Sequence, residues 1–222
     1  MTGSSVLPVT LYKGKLYFLF GKENPMEDSA KGFSDFGGGV EKGEDLLETA
    51  MREGGEELTG FLGDGNAIKR HIKSHGGIHK LHFDDYHVHL FYLPYDPQLP
   101  IYYNQNHMFL WKRMNKHVLN KTKLFEKIEI DWFSLTDIQK RRHEFRKFYR
   151  TFLDVLASEA SNIKQFVQSC MKRSRGVSRG VSRGVSRGRS RGRVRGRGRG
   201  RSRGGSCHCS KANKTRKLRR HN

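Results

Sequence analysis

Apolar positions in the first 170 residues follow two periods, one of strands and one of helices. Val6–Thr10 and Lys15–Phe20, joined by Tyr12-Lys13-Gly14, read as two strands and a tight turn. Leu16-Tyr17-Phe18-Leu19-Phe20 is continuously apolar, as in a strand covered on both faces. Gly21 to Gly32 reads as a polar loop, after which Ser34-Asp35-Phe36 runs into Gly37, Gly38 and Gly39. From 45 to 58, Leu46, Leu47, Ala50, Met51 and Leu58 recur at helical spacing, and Gly60 fits a left-handed residue ending that helix. Tyr86–Leu93 alternates as a core strand. Pro94–Pro100 reads as a loop, and Asn104–Lys116 as a short helix. Lys127–Phe133 alternates as a strand that exits into a helix capped by Ser134 or Thr136. Ile138, Phe145, Phe148, Tyr149, Phe152, Leu153, Leu156 and Ile163 make 137–168 one long or two shorter amphipathic helices.

Candidate chemistry is densest in the first of these helices. Gly38 is followed at fixed offsets by Glu44, by Arg52-Glu53 and by Glu56-Glu57. On a helix, Glu53, Glu56 and Glu57 lie at i, i+3 and i+4, so they share a face. Carboxylates crowded in this way repel each other unless a cation sits between them. Hard divalent ions such as Mg²⁺ take oxygen ligands of this kind, together with substrate phosphates. Ahead of the helix, Gly37, Gly38 and Gly39 let a backbone come close to a ligand without Cβ obstruction, so phosphate oxygens can meet N–H groups there.

These residues resemble the Nudix box, whose pattern is matched from Gly38 through Glu57. The match departs at Gly54, where an apolar residue is usual, and at Gly60-Phe61, which comes one residue late. Gly54 and Gly55 inside a helix cost roughly 1 kcal/mol each relative to Ala, so either the backbone packs closely there or the last turn loosens. The resemblance covers about residues 4–160. It implies an α/β/α sandwich around a mixed sheet, and Mg²⁺- or Mn²⁺-dependent hydrolysis of a pyrophosphate bond. It implies metal ligation by Glu53, Glu56 and Glu57, an orienting role for Arg52 and support from Glu44. In that family an acidic residue just before the last strand often completes the site. Glu126 stands there, with Glu129 second. The general base is left open between Glu53 and Glu126.

Charge changes the picture beyond the helical region. The chain has 222 residues and a net charge of +21, and 20 of its 43 Lys and Arg lie from Met171 to Asn222 with no acid among them. Residues 1–170 are left with 23 basic and 22 acidic side chains. We therefore expect a domain over 1–168 and a basic tail over 169–222. SRGV repeats begin at 174, 178 and 182 and SRGR repeats at 186 and 190. This low-complexity stretch has little to bury and is expected to be disordered on its own. Arg175, Arg179, Arg183, Arg187, Arg191, Arg195, Arg199 and Arg203 are its candidate nucleic-acid contacts, since Arg binds phosphate and stacks on bases. The alternative is a solubilising or targeting tail.

The finer resemblance is to Nudix proteins of large DNA viruses, some of which remove mRNA caps while related ones cleave diphosphoinositol polyphosphates. It implies capped RNA as substrate and partner. A small pyrophosphate substrate is the second reading, and a nucleic-acid-binding protein on an inactive scaffold is the third. Six histidines between His71 and His89 match no familiar zinc spacing. Three cysteines make no disulfide framework. No signal peptide or membrane span is read, so an intracellular setting is expected: cytoplasmic (of the host, if viral), with a nuclear one as the alternative.

Overall fold

The computed structural model describes residues 2–24, 31–115, 117, 118 and 126–185, with side chains from 175 onward excepted. Strands β1 (Gly3–Tyr12) and β2 (Lys15–Glu23) form the expected hairpin. Its turn residues Lys13 and Gly14 have φ of 48° and 79°. Two left-handed residues in succession match the right-handed twist of the strands they join.

Seven strands make one mixed sheet. β1 runs parallel to β6 (Tyr86–Tyr92), and β6 continues antiparallel to β5 (Ile78–Phe83). The first half of β1 pairs antiparallel with β4 (Phe36–Gly39) and its second half with β2. β2 also carries the short β3 (Phe33–Ser34) and the long β7 (Lys127–Ser134). Alternation along the strands sends side chains to two separate cores. Val6, Leu19, Phe91, Ile130 and Trp132 face one side, where α1 (Leu46–Glu57), α2 (Gly65–His75) and α3 (Gln98–Arg113) add Ala50, Met51, Ile68, Ile72 and Tyr103. Leu7, Val9, Phe18, Phe20, Val88, Leu90 and Phe133 face the other. There α4 (Leu135–Lys140), α5 (Arg150–Ser158) and α6 (Ala160–Val185) supply Ile138, Phe152, Leu156, Ile163 and Val167. The expected α/β/α sandwich around a mixed sheet is what these two cores build. The apolar run Leu16–Phe20 is divided between them, as expected of a strand covered on both faces.

Several boundaries differ from expectation. β2 continues through Glu23, so the loop expected from Gly21 starts later. Gly21 fits inside the strand because a Cβ there would lie 2.8 Å from the Phe36 ring and 2.9 Å from the Lys127 stem. Gly37–Gly39, expected as a pliable entry loop, form strand β4. α3 starts at Gln98, inside the expected Pro94–Pro100 loop, because proline is tolerated in a helix's first turn. The expected helical region of 137–168 breaks into α4, a 3-10 turn at Arg142–Glu144, α5 and α6. Ser134 caps α4 with a full capping box to Asp137.

The expected domain boundary after Gln168 falls inside α6, which runs on to Val185. Cys170 is buried in the second core, and Met171 packs against it. The backbone at Arg175, Arg179 and Arg183 is therefore helical, whereas Arg187, Arg191, Arg195, Arg199 and Arg203 lie outside the described residues. Among the described residues, no helix is long and apolar enough to cross a membrane.

Candidate active site

Helix α1 presents the acidic motif. Asp45 caps its start by accepting from the N–H groups of Leu47 and Glu48, and its own N–H donates to the Glu48 carboxylate. Thr59 and Gly60, at φ of 47° and 76°, turn the chain out of its end. Both glycines inside the helix mark close approaches. A Cβ on Gly54 would lie 2.5 Å from Val6 Cγ2, and one on Gly55 would lie 2.9 Å from the Gly65 backbone N. The helix therefore sits directly on β1 and against the start of α2. Gly38 of β4 serves the same closeness from the sheet side, since a Cβ there would lie 2.5 Å from Glu53 Oε1.

Arg52 organises the outer part of the motif. Its Nε donates to Glu44 Oε1 at 2.7 Å and its Nη2 to Glu44 Oε2 at 3.2 Å, a two-pronged grip. Its Nη1 donates to Glu53 Oε1 at 2.8 Å and reaches Glu56 Oε2 at 3.5 Å. Nη2 also reaches the Gly39 carbonyl at 3.4 Å. Thr49 Oγ1 donates to Glu44 Oε2 at 2.8 Å. Arg52 first, and Thr49 after it, hold the Glu44 carboxyl at a pKa of about 2. Glu44 is thus a permanent anion whose role is to fix the guanidinium, and the guanidinium fixes Glu53.

Glu57 goes elsewhere. It is buried at 4% exposure and pairs with the fully buried Lys127 ammonium, Nζ to Oε1 3.2 Å. Lys127 also pairs with buried Glu23 and donates to Ser34 Oγ at 3.0 Å. Arg146 Nη1 donates to the same Glu23 oxygen, Oε1, at 2.9 Å. Burial works against the Lys127 charge, yet Glu57 and Glu23 together hold its pKa above the ordinary value. Among the described residues, Glu57 Oε2 has no hydrogen-bond partner. The Tyr103 hydroxyl bridges this pair at the backbone, 2.7 Å from the Glu57 carbonyl and 3.0 Å from that of Lys127.

The structure thus brings Gly38, Glu44, Arg52 and Glu53 together and places Glu57 at an ion network one turn along. Glu56 keeps 39% of its side chain exposed on the outer face. Glu126 adjoins Lys127 at the start of β7 and adds its negative field to Glu57. Glu129 pairs with Lys22 at 3.2 Å, away from α1. Gly37 and Gly39 lie in the ladder with β1, opposite Ser5 and Gly3. Among the described residues, no three His, Cys, Asp or Glu side chains are gathered as metal ligands. The expected histidine segment instead forms α2, β5 and β6. His71 and His75 stack at 4.1 Å, and His89 Nδ1 is 3.1 Å from the Ser5 carbonyl. Of the aromatics on α3, Tyr103 is fully buried and Tyr102 is 60% exposed.

Lys127, Glu23, Ser34, Arg146 and Asp35 were not among the expected site residues. Asp35 is buried between β3 and β4, where Ser5 Oγ and the Tyr86 hydroxyl donate to its two oxygens, the latter at 3.0 Å. Burial pushes its pKa from 3.8 to about 6, with the Ser5 bond pulling the other way. A carboxyl whose folded pKa is raised binds its proton more tightly when folded. Stability is therefore greatest below pH 4 as far as this group is concerned, and it falls as pH rises to 6, by about 3 kcal/mol. Asp35→Asn should remove that slope, so melting curves of the variant and the parent between pH 4 and 7 should diverge toward the upper end. Parallel curves would mean that Asp35 ionises normally.

A cavity of about 1000 Å³ opens beside the start of α1, lined by Glu44, Asp45, Leu46, Lys80, His87 and His89 among others. No family model matches the chain, and no curated protein does. Solved structures similar to it include a Caenorhabditis elegans Ap4A hydrolase in a binary complex, at 15% identity and a TM-score of 0.41, over 72% of this chain and 98% of that one. Another is a bifunctional NMN adenylyltransferase/ADP-ribose pyrophosphatase from Francisella tularensis, complexed with AMP and a Mn ion. It shares 16% identity at a TM-score of 0.45, over 71% of this chain and 41% of that one. A NUDIX hydrolase from Nitrosomonas europaea shares 15% identity at a TM-score of 0.31, over 79% and 90%.

Proposed function

We propose that this chain is a metal-dependent Nudix hydrolase that cleaves a pyrophosphate bond, and that its substrate is the 5′ cap of RNA. The observation that carries the hydrolase reading is the Arg52 guanidinium, which grips Glu44 with two bonds and Glu53 with a third while Glu53 lies against Gly38. Four residues matched by offset in the motif are thereby one cluster in space. A merely solvated acidic face would leave its carboxylates outward, as Glu56 is, and would not bury Glu53 and Glu57.

The donor set suits Mg²⁺ or Mn²⁺. Glu53, Glu56 and Glu57 offer only carboxylate oxygens, and Glu57 Oε2 is a buried acceptor with no partner. A bound divalent ion would neutralise phosphate charge and lower the pKa of a coordinated water. The protein's own part is orientation. Arg52 holds Glu53 in one rotamer, and Glu53 or Glu126 would take the proton of the attacking water. The cavity by Glu44 has the volume of a nucleotide-sized site, and Lys80, His87 and His89 give it donors for an anionic ligand.

RNA as the substrate is supported by composition, since the basic residues beyond Gln168 bring no acid with them. The test offers purified protein cap-labelled RNA, free cap analogue and a diphosphoinositol polyphosphate with Mg²⁺ or Mn²⁺. Release of labelled nucleotide from capped RNA is the expected result. Turnover of only the small substrates would replace capped RNA by the second reading, and no turnover of any would remove the enzyme reading.

A further inference from the structure

The acidic side chains of α1 meet two cations of the chain's own, Arg52 at Glu53 and Glu56 and Lys127 at Glu57. Lys127 is completely buried, sits 3.2 Å from Glu57 and also binds Glu23. Glu57 thus has a different cation from Glu53 and Glu56, which Arg52 holds. Taking the hydrolase reading as given, we propose that Lys127 is a resident counter-cation for Glu57. It keeps the carboxylate ordered when no metal is bound, and it lowers the site's affinity for a divalent ion.

Every group facing Lys127 bears on this. Glu23 is shared between Lys127 and Arg146, so it answers part of the Lys127 charge and leaves the rest to Glu57. Ser34 Oγ accepts from Lys127 and carries no charge. Asp35 and Glu126 add negative field nearby, Asp35 acting on Lys127 and Glu126 on Glu57. The Tyr103 hydroxyl lies between the two backbones, 2.7 Å from the Glu57 carbonyl and 3.0 Å from that of Lys127, and its one proton can be given to either. A divalent ion on Glu57 would therefore stand within a few ångströms of a fixed ammonium. Like charges at such range in a buried site repel strongly, because little water lies between them. Binding must then either overcome that repulsion or move the Lys127 amine aside. Substrate phosphates, arriving with the metal, add the negative charge that tips the exchange. Lys127 would thus make metal loading depend on substrate.

The experiment uses the full-length protein, stripped with EDTA, and reads Mn²⁺ binding from the electron paramagnetic resonance signal of the free ion. Lys127→Met should melt at a lower temperature than the parent without metal, since Glu57 and Glu23 then face each other without their ammonium. It should bind Mn²⁺ at least tenfold more tightly, and Mn²⁺ should raise its melting temperature more than the parent's. Lys127→Arg keeps the charge and should keep the parent's weak binding. Equal or weaker Mn²⁺ binding by a natively folded Lys127→Met would overturn the inference. If Lys127→Met does not fold, Glu23→Gln decides. Losing Glu23's charge leaves the ammonium to Glu57 alone, so Mn²⁺ binding should weaken, and unchanged or tighter binding would overturn it. Failure of the hydrolase reading looks different: parent and variants alike would bind no Mn²⁺ and turn over no pyrophosphate. A parent that binds Mn²⁺ and hydrolyses, beside a Lys127→Met no tighter, defeats the Lys127 inference alone.

Discussion

Glu57→Gln should lower hydrolysis by at least about 10²-fold while leaving the melting temperature unchanged or slightly raised. The size follows from what is removed. Losing a carboxylate that holds the charge-neutralising ion should cost roughly 10²–10³ in rate, the scale found when one stabilising group is deleted from an active site. The stability side follows from the network. Glu57 is buried, and one of its oxygens has no partner. Burial pushes its carboxyl pKa up, with Lys127 pulling against it. A glutamine keeps an oxygen for Lys127, while Glu23 still answers the ammonium charge. The substitution therefore removes a poorly solvated anion without orphaning its cation, unlike the loss of one partner from an isolated buried pair. Glu129→Gln is the control, because Glu129 pairs with Lys22 on a partly exposed surface. Activity and melting should be measured on one preparation at saturating Mn²⁺. A Glu57→Gln protein within a few-fold of the parent would exclude Glu57 as a ligand.

The difference between Glu57 and its neighbours shows how far the sequence could be read. Offsets along one helix fix that Glu53, Glu56 and Glu57 share a face, while Gly38, Glu44 and Arg52 were named through the resemblance of the motif, and the structure assembles these three with Glu53. Spacing also raised the question of Gly54 and Gly55, which the close packing on Val6 and Gly65 answers. What spacing cannot supply is a partner from another strand. Lys127 meets Glu23 across 104 residues, and a lysine opening the strand KIEIDWF reads as a solvated end. Only the crossing of β2, β7 and α1 makes it the interior cation.

The same limit explains α2 and β5. α2 buries only Ile68 and Ile72, so its apolar signal is thin amid Lys, Arg and His. In β5, His79, Lys80 and His82 occupy exposed and half-exposed positions around the buried Leu81 and Phe83, and composition drew attention away from alternation. The strands and helices that were legible, β1, β2, β6, β7 and α1, are those with several large apolar side chains at one period. The edge expected after Gln168 was read from the change in charge, and helix α6 runs past it. Cys170 is a small apolar filler at the end of a buried stripe with Ile163 and Val167.

That edge decides how the tail should be tested. Removing 186–222 should separate RNA binding from chemistry, whereas a cut at Met171 would strip residues next to the Cys170 packing and confound the two. The segment from 186 carries 15 Lys and Arg and no Asp or Glu, so it can attract phosphates but can offer no carboxylate to a divalent ion. The truncated protein should cleave free cap analogue with unchanged kcat. On capped RNA at low salt its apparent KM should rise by roughly tenfold or more, because contacts that release counterions from the RNA are lost. The parent's KM should climb steeply with salt and the truncated protein's only slightly, so the two should converge at high salt. A small-molecule hydrolase would show little change beyond long-range attraction that salt screens. A nucleic-acid-binding protein on an inactive scaffold would lose RNA binding on truncation and show no turnover in either form. The measurement is kcat and KM for both proteins at two salt concentrations on both substrates. A KM for capped RNA that does not move at low salt would defeat the tail's tethering role and leave a pyrophosphatase of small substrates.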